Sequence, residues 1–140
     1  MDQPPAAPAA MDEAVRRYIN PRTPADAAVP PFSGAVQVGN TLYLSGDIGI
    51  DENQKVPDTA EAEARKVLTQ IKATIEQAGM TMDDLVYVQV FCSDVAHYAA
   101  FNAVYRTFFT KEFPARAFYG VGGPLLFNAR FEVQGIAVKR

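Results

Sequence analysis

The sequence predicts a single α+β domain with elements in the order ββαβαββ and two helices on one face of the sheet. Three observations predict it. Two short runs of strand-forming residues flank Gly39-Asn40, a two-residue hairpin turn. A long stretch after Thr59 carries apolar residues at helical spacing. Three later runs, rich in β-branched and aromatic residues, are separated by a second helical stretch and a glycine-containing loop. With 140 residues, 49% of them apolar, the chain can bury one core.

Residues 1–30 hold six of the ten prolines (Pro4, Pro5, Pro8, Pro21, Pro24, Pro30) and little periodic pattern. They read as a Pro/Ala-rich extension, partly disordered, with one short helical turn over 11–19. The domain proper is expected over 31–140. Strands over 35–38 and 41–44 form the hairpin, and Ser45-Gly46-Asp47 ends the second strand. Residues 51–58 read as loop.

Thr59 opens a helix that runs to about residue 78. Glu61 and Glu63 in its first turn complement the helix dipole, and Gly79 stands just past its end. Its apolar stripe is Ala64, Val67, Leu68, Ile71 and Ile75. Residues 82–84 read as a turn or short helical start, and 85–92 as a strand. A second helix is expected over 95–110, capped by Ser93 or Asp94, with Phe101, Val104, Tyr105 and Phe108 facing the core. The last two strands are expected over 115–121 and 130–138.

Two helices cover one face of such a sheet. The other face reads as apolar too, with Phe118 and Ile136 on it, whereas a one-sided antiparallel sheet is polar on its free face. The expected cover is another copy of the chain, which makes a site between subunits reasonable.

The formal net charge of −3, with no basic run beyond Arg16-Arg17 and Lys139-Arg140, disfavours nucleic acid as a partner. No segment approaches the ~20 apolar residues of a membrane span. Cys92 is the sole cysteine, so no internal disulfide forms and a cytoplasmic, reducing compartment fits. Residues 1–10 lack the pattern of an intact signal peptide; if they are a trimmed remnant of one, the protein is exported. One histidine and one cysteine do not furnish a zinc set. The Gly120-Val121-Gly122-Gly123 run follows a strand without opening a helix, so it is not a dinucleotide fingerprint.

Arg116 and Glu132 stand out because each sits among apolar neighbours in a late strand. A charge in such a place is either compensated or kept for a ligand. One reading pairs the two with each other. In the other, the arginine fork holds a substrate carboxylate and the glutamate polarises a water. Alternation places Glu132, Gln134 and Ile136 on one face of the last strand, and Arg116 and Phe118 on one face of the strand before it. If those faces coincide, all point into one cleft. Ser93, Asp94 and His97 are close in sequence but cluster at a helix start, which does not make a triad. Cys92 ends an apolar strand and reads as a buried hydrophobe.

Six segments in order resemble the Rid, or YjgF, family of reactive-intermediate deaminases. They are Pro31-Phe32-Ser33-Gly34-Ala35-Val36, Leu44-Ser45-Gly46-Asp47-Ile48, Val90-Phe91-Cys92-Ser93-Asp94, Phe101-Asn102-Ala103-Val104-Tyr105, Phe113-Pro114-Ala115-Arg116 and Phe131-Glu132-Val133-Gln134-Gly135-Ile136-Ala137. The resemblance implies a chorismate-mutase-like fold and a homotrimer with clefts between subunits. It implies hydrolysis of enamines and imines, of the 2-aminoacrylate and 2-iminopropanoate type, to a 2-keto acid and ammonia, without a cofactor or metal. By position, Arg116 matches the arginine that grips the substrate carboxylate, and Glu132 the glutamate that positions the attacking water. Asn102 matches a cleft-side asparagine and Gly46 a glycine whose backbone lines the pocket. Phe32 stands where the family commonly has a cleft tyrosine, and Phe118 where it often has a cysteine. Residues 120–126 depart from the family's arginine-leucine-proline run. Two alternatives stand beside the deaminase: a non-catalytic trimer that binds a small acid, which Phe32 and Phe118 favour, and an endoribonuclease, which the acidic balance disfavours.

Overall fold

The fold is that of a computed structural model, described for residues 15–140. Its strands are β1 (Arg16–Ile19), β2 (Ala35–Val38), β3 (Thr41–Leu44), β4 (Asp47–Ile48), β5 (Leu85–Cys92), β6 (Ala115–Gly120) and β7 (Phe131–Val138). Its helices are α1 (Ala60–Gln77) and α2 (Tyr98–Tyr105). The strands form one sheet in the order β1-β2-β3-β7-β5-β6, with β4 paired to β7. Every pairing is antiparallel except β5 with β6, which α2 connects as a parallel crossover.

The elements follow from local chemistry. Gly39 turns the β2–β3 hairpin with φ +58°, a conformation that other residues adopt with strain. The Thr59 side chain caps α1 by accepting from the Ala62 backbone N–H. Asp94, the cap candidate of the second helical stretch, accepts from the Ala96 N–H. That stretch is regular α-helix only over Tyr98–Tyr105, with a 3-10 turn at each end, and so is shorter than the run expected over 95–110.

The short helical turn expected over 11–19 lies partly outside the described residues, and its described end is not helical. Arg16–Ile19 is an edge strand in register with β2, and Ile19 is buried. Ordered sheet therefore begins ahead of residue 31. Tyr18-Ile19 is itself a β-prone pair, but with two arginines before it and Asn-Pro after it the run is too short to show a period. The two-residue β4 was also not expected; the chain after Leu44 continues to pair instead of ending at Asp47.

Alternation along β7 fixes the two faces. Phe131, Val133 and Ala137 are buried beneath α1 and α2, together with Val88, Val90 and Cys92 of β5. The other face carries a row that runs across five strands through Tyr18, Val36, Tyr43, Ile136 and Tyr87. Phe91 and Tyr119 stack beside it at 5.4 Å. Tyr18 and Tyr43 are each 50% exposed, so this face is apolar and uncovered in one chain. The expectation that Phe118 lies on it is not met. Phe118 pairs in register with Val90 and meets Phe101 of α2 edge-on, so it belongs to the helix-covered face.

Among the described residues, no helix is long and apolar enough to cross a membrane.

Candidate active site

The residues singled out from the sequence fall into two groups. Arg116, Asn102 and Phe118 gather on the helix-covered side, where β6 meets α2. Arg116 is in register with Val88, whose side chain is in the core. Its guanidinium carbon lies 4.7 Å from the ring centre of Tyr105, 5.5 Å from Phe118, 5.8 Å from Tyr98 and 5.9 Å from Phe101. Such stacking suits a delocalised, weakly hydrated cation. Among the described residues no carboxylate lies within ion-pair distance of it. A cavity of about 260 Å³ opens over this cation, and its wall includes Tyr98, Asn102, Tyr105, Phe113 and a second cation, Arg106.

Glu132 and Gly46 form the second group, and Phe32 shares a cavity wall with Gly46. Glu132 is in register with Phe91 and Ile48, so it leaves β7 on the face opposite the helices. Gly46 lies against its carboxyl group: a Cβ there would sit 3.1 Å from the carboxyl carbon. The glycine thus makes room for the carboxylate. Phe32 is half exposed beside a second cavity of about 300 Å³, whose wall includes Ser45, Gly46, Asp47 and Gln70. Arg22 caps the Phe32 ring at 5.1 Å and donates to the Phe32 carbonyl at 2.6 Å.

Arg116 and Glu132 therefore do not meet within one chain, and neither pairing them with each other nor a shared cleft inside one protomer is what the fold builds. Parallel pairing of β6 on β5 sets this. It puts Arg116 level with a core residue of β5, while antiparallel pairing puts Glu132 level with Phe91, on the opposite face.

Electrostatics follow the separation. Burial pushes the Glu132 carboxyl above its ordinary range, and the neighbouring Asp47 carboxylate adds to the rise. Arg116, on the other face of the sheet, does not offset this rise within one chain. Asp47 is itself raised by burial; hydrogen bonds from Gln70 and from the Ile48 N–H, and the positive Arg22, oppose the rise. Burial also lifts the Tyr105 phenol, to about 12.

Other candidates keep structural roles. The Asp94 side chain is spent on its cap, and His97 packs edge-on to Phe131 at 6.0 Å. The Cys92 thiol is buried, donates to the Asp94 carbonyl and is raised by burial, which disfavours the reactive thiolate.

One feature escaped the sequence reading. Glu63 is fully buried and accepts from the Arg130 and Phe131 backbone N–H groups, at 2.7 and 3.0 Å, and from the Arg130 guanidinium at 2.9 Å. The same guanidinium donates to the Pro57 and Asp58 carbonyls. This knot ties the α1 N-terminus to the start of β7, next to Glu132. Its signal was there: Glu63 lies one turn before Val67 on the apolar stripe, where a bare charge is not tolerated.

A family model described as Endoribonuclease L-PSP matches residues 9–139. The chain belongs to this family. It is the Rid, or YjgF, family that the six segments resemble. Within the L-PSP family, a 2-iminobutanoate/2-iminopropanoate deaminase of Dermatophagoides farinae is 42% identical over 112 residues, 79% of this chain and 87% of that one. A protein of the same description from Capra hircus is 38% identical over 131 residues, 92% of this chain and 94% of its own. The crystal structure of the YjgF gene product of Escherichia coli superposes with a TM-score of 0.75 at 36% identity, covering 81% of this chain and 92% of that one. The α+β sheet with two helices is thus the architecture of this L-PSP relative.

Proposed function

We propose that the protein is an imine deaminase, a hydrolase acting on C–N bonds. It converts 2-imino acids of the 2-iminopropanoate and 2-iminobutanoate type, and the enamines that tautomerise to them, to 2-keto acids and ammonia. The observation that carries the reading is the unpaired, aromatic-packed Arg116 at the floor of a cavity, in a chain at 35% to 42% identity to deaminases of that description.

The protein works as a homotrimer in which one copy supplies Arg116, Asn102 and Phe118 and its neighbour supplies Glu132, Gly46 and Phe32. Two observations support this. The apolar row across the open face needs a cover, and the two halves of the site lie on opposite sides of one sheet. A cyclic assembly can bring the β6 edge of one copy to the open face of the next.

In the joined cleft, Arg116 grips the substrate carboxylate with its fork. Glu132 accepts a hydrogen bond from a water and takes its proton as the water oxygen bonds to C2. The C=N electron pair moves to nitrogen, which is protonated. Collapse of the carbinolamine forms the C=O bond and releases ammonia. The raised Glu132 carboxyl is suited to returning the proton, and a positioned acid–base group is worth roughly 10²–10⁴-fold. An imine already carries an electrophilic carbon, so this is sufficient help. The chemistry uses no cofactor. The buried, free Cys92 suits a reducing compartment such as the cytoplasm.

The test supplies 2-iminopropanoate generated in situ by an amino-acid oxidase and follows its loss. Faster loss with wild-type protein, abolished in Arg116→Ala, is the expected result. Equal loss with and without protein overturns the proposal. Binding of pyruvate without turnover would favour a non-catalytic small-acid binder instead.

A further inference from the structure

Two buried polar atoms among the described residues have no hydrogen-bond partner: the Tyr105 hydroxyl and Asn102 Oδ1. Both residues are on α2, one turn apart, and both line the cavity over Arg116. An orphaned buried polar group costs about 1–3 kcal/mol, so two such groups in one wall mark a place where a ligand completes the bonding. Asn102 is already assigned to the cleft by its position in the sequence. Tyr105 is not: its ring reads as core, and it does pack as core, 5% exposed and stacked with Phe101 at 5.7 Å.

The ring and the hydroxyl do different things. The ring lies under the guanidinium of Arg116, 4.7 Å from it, and further contacts to Phe109 and Phe113 hold it in place. Among the described residues no protein acceptor reaches the hydroxyl. A carboxylate bound by Arg116 would bring an acceptor into the same cavity, because the arginine fork engages both oxygens but leaves each a further lone pair.

We propose that Tyr105 is a substrate-binding residue: its hydroxyl donates a hydrogen bond to the carboxylate of the 2-imino acid that Arg116 grips. This rests on the deaminase reading and adds a second carboxylate donor to it. The phenol is protonated at neutral pH, as a donor must be, and burial pushes it further up, to about 12, against the lowering effect of Arg116. The contact is to the carboxylate, so it serves the 2-keto product as well as the imine.

The experiment uses Tyr105→Phe, which keeps the ring and removes only the oxygen. Three quantities are measured in wild type and variant: kcat and KM for 2-iminopropanoate generated in situ, the inhibition constant of pyruvate, and the unfolding midpoint without ligand. A hydrogen bond to a charged group is worth about tenfold or more in affinity. The expected result is a rise of about tenfold in both KM and the pyruvate constant, with kcat within about twofold and a midpoint unchanged or higher. A structural role would not produce that split. Wild-type KM and pyruvate affinity in the variant would overturn the assignment while the deaminase reading stands. A lowered midpoint without ligand would also overturn it, because it would mean that the hydroxyl has a protein partner. If the wild type neither hastens imine loss nor binds pyruvate, the deaminase reading fails and takes this assignment with it.

Discussion

Arg116 and Glu132 leave the same sheet on opposite sides. Arg116 stacks over Tyr105 on the side that α1 and α2 cover, and Glu132 lies against Gly46 on the open side. Neither group has an oppositely charged partner among the described residues. In the proposed trimer each is half a site, and the apolar open face is where the copy with the other half would dock.

The first prediction concerns Asp47. It follows Gly46 and pairs with β7 one residue from Glu132, and its charge helps to raise the Glu132 carboxyl after the larger effect of burial. The groups facing this pair are Arg22, which lowers Asp47, and the uncharged Gln70. If Glu132 must be ionised to take a proton from water, activity falls as pH drops through its raised pKa. Asp47→Asn removes a like charge and lowers that pKa, so the acid limb of the kcat/KM profile moves to lower pH. The shift is partial, because burial remains. A limb that stays put or moves upward would show that Asp47 does not act on the titrating group.

The second prediction concerns the knot at the start of β7. Glu63 is fully buried and meets three donors of Arg130 and Phe131. Breaking a buried pair from one side leaves the other group uncompensated and costs about 3–5 kcal/mol. Glu63→Ala is therefore expected to lower the denaturant midpoint strongly. Lys72→Ala, which breaks the exposed pair with Glu76, should change it by less than about 1 kcal/mol. Equal midpoints for the two variants would contradict the role given to Glu63.

Much of this was legible in the sequence, and the exceptions have physical reasons. The β2–β3 hairpin, α1 and β5 follow from a turn glycine, a capped apolar stripe and a β-branched run, all of which are local. β1 was not legible, because four residues between a proline-rich start and Asn20 gain their conformation from β2 rather than from their own pattern. The candidate residues could be named from the sequence, but the side of the sheet on which each lies could not. Alternation orders residues within a strand and is silent on how one strand's phase relates to the next. Here a parallel neighbour and an antiparallel neighbour of β5 put Arg116 and Glu132 out of phase. The Tyr105 hydroxyl escaped because spacing reports the ring, not its edge.

The most direct measurement of the central claim mixes two inactive variants. Arg116→Ala retains Glu132, and Glu132→Gln retains Arg116. Each should be inactive by itself in the imine assay. If the site joins one copy's arginine to a neighbour's glutamate, equal mixing with subunit exchange rebuilds both groups in about one quarter of the clefts, by random assembly in a closed ring. Recovery of about that fraction of wild-type activity is expected, and none when the Arg116→Ala, Glu132→Gln double variant is mixed with either single one. Mixed oligomers that form, as native mass spectrometry would show, and yet stay inactive would contradict it.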